Sequence, residues 1–272
     1  HLTSNFNYVL SGAVFVGGDN INSAELTIDA GITMFGESGK DLLVISRGSK
    51  IHVNGSKEAP VIMTSANDAT ADAFTRGQWG GLILNGNAPI NGCTVGTATC
   101  QASGEGSSGQ FGGNNPADSS GNLNYLVIKY AGFLITAENE LNGIAFQGVG
   151  NGTLVDYVQV HNNADDGVEF FGGTVNAKHL VLTGNDDDNT DWTQGWTGKL
   201  QFVVVQQTNT GDNGIEADNN SKARDSLPRA KPVITNATYI GRGNGSGGYG
   251  ALLREGTGAN ISNSVFIGWG KG

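Results

Sequence analysis

Carboxylates recur in this chain at matched positions of short repeated phrases. Asp165-Asp166-Gly167-Val168-Glu169, Asp187-Asp188-Asn189-Thr190-Asp191 and Asp212-Asn213-Gly214-Ile215-Glu216 align without a gap. The wider alignment puts Ala145, Glu169, Asp191, Glu216 and Leu252 in one column. Asn142, Asp166, Asp188 and Asn213 form a second, and Asp165, Asp187 and Asp212 a third. Like charges a few ångströms apart repel and raise one another's pKa unless something neutralises them. Calcium is the ion that suits such a set, because it takes about six to eight hard oxygen ligands from carboxylates, amides and carbonyls. The expected ligands are Asp165, Asp166, Glu169, Asp187, Asp188, Asp191, Asp212 and Glu216. The phrase lacks the glycine and closing glutamate of an EF-hand loop. The alternative is a set of solvated turn carboxylates that keep neighbouring molecules apart.

Catalysis is the second use of such residues. Hydrolysis of a glycosidic bond needs two carboxylates as acid and base or nucleophile. Elimination beside a uronate carboxylate needs a cation to acidify the proton and a basic side chain to take it. Glu169, Asp191, Glu216 and Arg254 are the candidates, with Lys222 and Arg224 as further basic groups. Trp192 and Trp196 are candidates for stacking on a sugar, and the alternative for Trp192 is packing against Phe170. His161 and His179 fall in apolar runs and read as packed residues. No Ser-His-Asp set, phosphate-cradling loop or HExxH motif is present.

Only a regular scaffold could hold these columns, and the apolar runs supply one. Leu123–Ile128, Val155–Val160, Ala177–Leu182 and Leu200–Val205 repeat with aromatic or histidine residues spaced 32, 22 and 23 apart. Ile234–Gly241 and Ile261–Gly268 match position for position, 27 residues later. The acidic phrases alternate with these runs, and related apolar copies stand at 80–86 and 142–148. Each unit is therefore strand, turn, strand, turn, of about 22 to 35 residues, with no capped 3.6-residue stripe. A period this short predicts an all-β solenoid whose strands stack in parallel about 4.8 Å apart over one aliphatic core. It predicts a single domain over 1–272, interrupted by insertions at 91–122 and 218–232 that read either as solvated loops or as loops that project from one face and build a binding site. Asn162, Asn163, Asn185 and Asn209 follow strands and are expected to form hydrogen bonds along the stack.

The first third of the chain carries a recognisable phrase order. Ala24-Glu25-Leu26-Thr27-Ile28-Asp29-Ala30-Gly31 leads into Ile32–Gly36, Leu42–Ile45 and Lys50–Gly55, then Pro60-Val61-Ile62-Met63-Thr64-Ser65. This succession resembles the opening coils of bacterial pectate-lyase-like right-handed parallel β-helix proteins. The right hand comes from that resemblance, which covers nearly the whole chain in rhythm. Polysaccharide-active members place their carboxylates and a basic residue on one sheet. Asn189-Thr190-Asp191 is similar to the Asn-Thr-Asp of polygalacturonase-like enzymes, with Asp212-Asn213 where an Asp pair would stand. The pattern then departs. The Gly-His-Gly position reads Gly248-Tyr249-Gly250, and Arg254 is not followed by x-Lys.

Composition sets the setting. The net charge is −10, with 15 basic and 25 acidic residues, which disfavours nucleic acid and anionic membranes as partners. No apolar run approaches the length of a membrane span. Cys93 and Cys100, with six residues between them, read as a local disulfide, hence an oxidising, extracellular or periplasmic compartment, the alternative being two free thiols. The last run reads as a strand of the repeat, so the natural chain is expected to continue or to end in a cap. The sum is a secreted or cell-surface, calcium-stabilised module that holds polysaccharide or other surface components, with self-assembly through the solenoid ends open to it. The alternative is a lyase or hydrolase of an acidic glycan.

Overall fold

The computed structural model describes residues 1–92, 100–136, 139–208, 210–243 and 247–271. The chain winds into a right-handed parallel β-helix. A 12-stranded sheet and an 8-stranded sheet run its length, with every pair in both sheets parallel. No α-helix occurs among the described residues, only the 3₁₀ turns Asp68–Thr70 and Glu105–Ser107.

The long sheet takes up the apolar runs. Its central strands, Gly121–Lys129, Leu154–His161, Asn176–Thr183, Lys199–Gln206 and Val233–Ile240, stack in the register that the repeat predicts. Val155, Val158 and Val160 point inward while Asp156 and Tyr157 both point outward, so the alternation slips by one at Tyr157. That residue has φ +55°, in the left-handed region, and turns the strand through a corner. Tyr125, His179, Phe202 and Asn236 occupy the same corner at φ +48° to +59°. Such backbone is unfavourable for non-glycine residues. Stacking offsets the cost. The rings of Tyr125, Tyr157, His179 and Phe202 lie at centroid separations of 4.4, 4.4 and 4.9 Å, within 12° of parallel. The runs are thus single strands folded at a corner, which divides the long sheet into two faces.

One hydrophobic cluster fills the interior continuously from Leu10 to Tyr239. Each coil adds inward Val, Leu or Ile side chains, worth about 1.5–3 kcal/mol apiece when buried. An aromatic stack runs through its middle. Phe146, Phe170 and Trp196 follow one another at 5.0 and 3.9 Å.

The short sheet carries the acidic phrases, on strands Ile144–Gln147, Val168–Phe171, Thr190–Thr193 and Ile215–Ala217. The 91–122 insertion lies back against the start of this sheet, where its Cys100 and Phe111 join a second hydrophobic cluster with Val44, Ile83, Ala145 and Phe171. Arg47, buried to 5 % exposure, ties it down through Gly112 O at 2.9 Å and Gln101 at 3.1 Å. The two insertions also meet, through Asn91 Nδ2 and Asn219 Oδ1 at 2.9 Å. The expected partner of Cys100, Cys93, lies outside the described residues, as does Asn209.

A candidate cation site on the short sheet

Parity along each short strand decides which side chains face out. In Thr190–Thr193, Thr190 and Trp192 are buried and Asp191 faces outward. Strand pairing then stacks the outward residues in one file: Phe15, Val44, Ile83, Ala145, Glu169, Asp191, Glu216 and Leu252. Val44, Ile83 and Ala145 of the file lie against the insertion, and the acidic residues follow them along the stack.

The turn before each strand brings the other columns alongside. Four groups of three carboxylates have ligand oxygens within 4.8 Å of one another. They are Asp165, Asp166 and Asp187; Asp166, Glu169 and Asp191; Asp187, Asp188 and Asp212; and Asp188, Asp191 and Glu216. Hydrogen bonds hold the rows in register. Asp188 N donates to Asp166 Oδ1 at 2.9 Å, and Asn213 N to Asp188 Oδ1 at 2.6 Å. All eight carboxylates expected as ligands therefore converge.

The electrostatics are those of carboxylates that are crowded together and partly buried. Burial, then the neighbouring Asp165 and Glu140 charges, pushes Glu105 up to about 8. Burial, then Glu140 and Asp187, pushes Asp165 to about 8. Burial, then Asp187 and Glu216, does the same to Asp188. Asp166, Glu169 and Asp191 are raised well above the usual range, first by burial and then by their acidic neighbours. Burial raises Glu216 to about 7 against the pull of Arg254.

Arg254 is the cation that reaches the row. It pairs with Glu216 and, at 3.0 Å, with Asp218. Burial works to lower its pKa, but the Asp218 hydrogen bond and the charges of Glu216 and Asp218 outweigh it and raise it. Arg224 is engaged elsewhere, in an ion pair with Glu255.

Two acidic residues of the site escaped the repeat. Glu105 arrives from the insertion and accepts a hydrogen bond from Asn142 Nδ2 at 3.1 Å, while the same nitrogen donates to Glu169 at 2.7 Å. Nothing in its glycine- and serine-rich surroundings marks it. Asp218 stands two residues after Glu216, on the same side of the chain, a signal that was legible.

The two tryptophans are a correction. Trp192 and Trp196 are fully buried in the core and present no ring face to a ligand. Trp196 stacks on Phe170 and donates to Val175 O at 3.1 Å, and Trp192 donates to Thr257 Oγ1 at 2.9 Å. For Trp192 the physical reason is parity, since a residue next to outward Asp191 must point inward. His161 and His179 are on the long sheet, bonded to Thr183 and Asp156, and take no part in the row.

Calcium fits the donors present. All are hard oxygens, and no cysteine or histidine stands among the grouped residues. Asn142 adds an amide oxygen, Oδ1, that is buried to 2 % exposure and accepts no hydrogen bond from the described residues. An unpaired buried carbonyl costs about 1–3 kcal/mol, and a cation would satisfy it.

A family model for a pectate-lyase-like β-helix domain matches residues 1–272. No curated protein and no solved structure matches the chain.

Proposed function

Since the chain belongs to the pectate-lyase-like β-helix family throughout its length, we propose that it is an exported, calcium-binding module that holds polysaccharide at the acidic row. Family membership itself points to a polysaccharide-related role. The four overlapping carboxylate groups carry the calcium part of the reading. Asp165, Asp166, Glu169, Asp187, Asp188, Asp191, Asp212 and Glu216 would hold the ion, with Asn142 and Glu105 beside them. Bound calcium supplies positive charge that coordinates carboxylate or hydroxyl oxygens of a glycan. The insertions flank the row and would form the walls of the groove. A Cys93–Cys100 disulfide and a secreted or cell-surface location belong to the same reading.

One observation favours a lyase or hydrolase instead. Arg254 reaches the row, and Glu105, Asp165, Asp188 and Glu216 have the raised pKa that general acids need. Yet Arg254 is paired with Glu216 and Asp218, which favour its charged form and oppose a role as base. Binding is therefore the first reading.

Melting with EGTA and with calcium, followed by calorimetry against uronate and neutral glycans, tests it. Calcium is expected to raise the melting temperature, and a uronate polymer to bind only in its presence. Equal melting in both conditions would remove calcium from the account. New double bonds or reducing ends in the incubated glycan would promote the enzyme reading.

A further inference from the structure

We propose that the chain carries a second glycan site, on the long sheet, which takes an uncharged polysaccharide without calcium. A groove of about 690 Å³ lies on the face that precedes the corner, bordered by the turn residues Asn151 and Thr153. Its floor is two parallel files. Asn122, Leu154, Asn176 and Lys199 form one, and Asn124, Asp156, Lys178 and Gln201 the other. The residues between the files, Leu123, Val155, Ala177 and Leu200, are buried, so both files face outward. Successive members stand one strand spacing apart, and four coils give a floor about 14 Å long. The acidic row is on the short sheet, and the two sites share no residue.

The chemistry of the floor selects the occupant. Amides dominate it, and each offers an acceptor oxygen and two donor hydrogens. The side chains of Asn176, Lys199 and Gln201 form no hydrogen bond or ion pair with a described residue, and they are open to a ligand. Sugar hydroxyls both donate and accept, so a mixed file of this kind meets a linear glycan at every coil. Leu154, 67 % exposed, adds an apolar step suited to the C–H face of a pyranose ring.

The charges of the groove match an uncharged chain. Asp156 is held by Lys178 at 3.3 Å and His179 at 2.7 Å. Lys199 alone is left over on the floor, and one ammonium does not offset the −10 of the whole chain, which disfavours polyanions. A protein partner fits no better. The cores of protein interfaces are depleted in Lys and Asp, and this floor carries both.

Affinity electrophoresis and calorimetry in EGTA test the site. Soluble xylan, glucomannan and mixed-linkage β-glucan are the neutral probes, and polygalacturonate is the acidic one. At least one neutral glycan is expected to bind, with the same affinity when calcium replaces EGTA. Asn176→Ala, Lys199→Ala and Gln201→Ala should each weaken binding about fivefold through one lost hydrogen bond, with circular dichroism as the fold check. No binding of any neutral probe, or binding unchanged in the folded triple variant, would overturn the proposal. So would polygalacturonate binding in EGTA that Lys199→Ala abolishes, since that assigns the groove to polyanions. None of these outcomes alters the melting shift expected from calcium, so the calcium reading stands or falls separately.

Discussion

The metal-free protein should lose stability as pH rises through neutrality, against the usual behaviour of paired carboxylates. Glu216 sets the scale. Its side chain is 17 % exposed, and its pKa rises from 4.5 to about 7 on folding. At about 1.4 kcal/mol for each pKa unit, that is a differential of about 3 kcal/mol. The direction follows from proton counting. Below pH about 4.5 the carboxyl is protonated in both states. Between about 4.5 and 7 the unfolded chain releases the proton while the folded chain keeps it, so stability falls as pH rises. Glu105, Asp165 and Asp188, each near 8, act with the same sign and extend the window to about pH 8. Asp41 works the other way. Its three backbone hydrogen bonds, from Gly12, Glu37 and Ser38, outweigh its burial and lower its pKa, so its contribution is lost only in acid. In EGTA, the melting temperature should therefore drop from pH 5 to pH 8, by about 5–10 °C for the Glu216 share at about 2–4 °C per kcal/mol. Saturating calcium should flatten the profile, and Glu216→Gln should shrink the drop in EGTA. A profile in EGTA that is flat or rises over this range would refute the reasoning.

Two further outcomes concern the scaffold. Phe170→Ala removes a ring stacked between Phe146 and Trp196, and should cost about 3–5 kcal/mol in chemical denaturation. At the corner, Phe202→Val places a β-branched residue at φ +59° and should destabilise by about 1–2 kcal/mol or more. Phe202→Asn should be better tolerated in the same measurement, because asparagine accepts that backbone and Asn236 already occupies the next corner.

Most of the scaffold was legible because a parallel stack repeats in register. The match of Ile234–Gly241 to Ile261–Gly268 appears in the structure as adjacent strands, and Glu169, Asp191 and Glu216 appear as one file. The corner was harder to read. Tyr157 sits in a run with no glycine or proline to mark a bend, and only its backbone angle shows that the strand bends there. Glu105 was beyond reach, since it comes to Asn142 from an insertion with no repeat of its own. The insertion was expected to project, but Phe111 and Cys100 lie back on Val44 and Ile83, because the outward file there is apolar and needs cover. For Trp192 the packed alternative holds, because the alternation that turns Asp191 outward turns Trp192 inward beside Phe170.

The acidic file has a consequence of its spacing alone. Strand stacking sets successive charges about 4.8 Å apart along a stiff rod. Two unit charges in water interact by RT at about 7 Å. Once ionised, the three carboxylates of this file act as one concentrated charge rather than as separate residues, and they draw a sheath of loosely held counterions before any specific ion arrives. Binding there exchanges that sheath for the incoming cation, so affinity along the rod is governed by background salt as much as by the ligands.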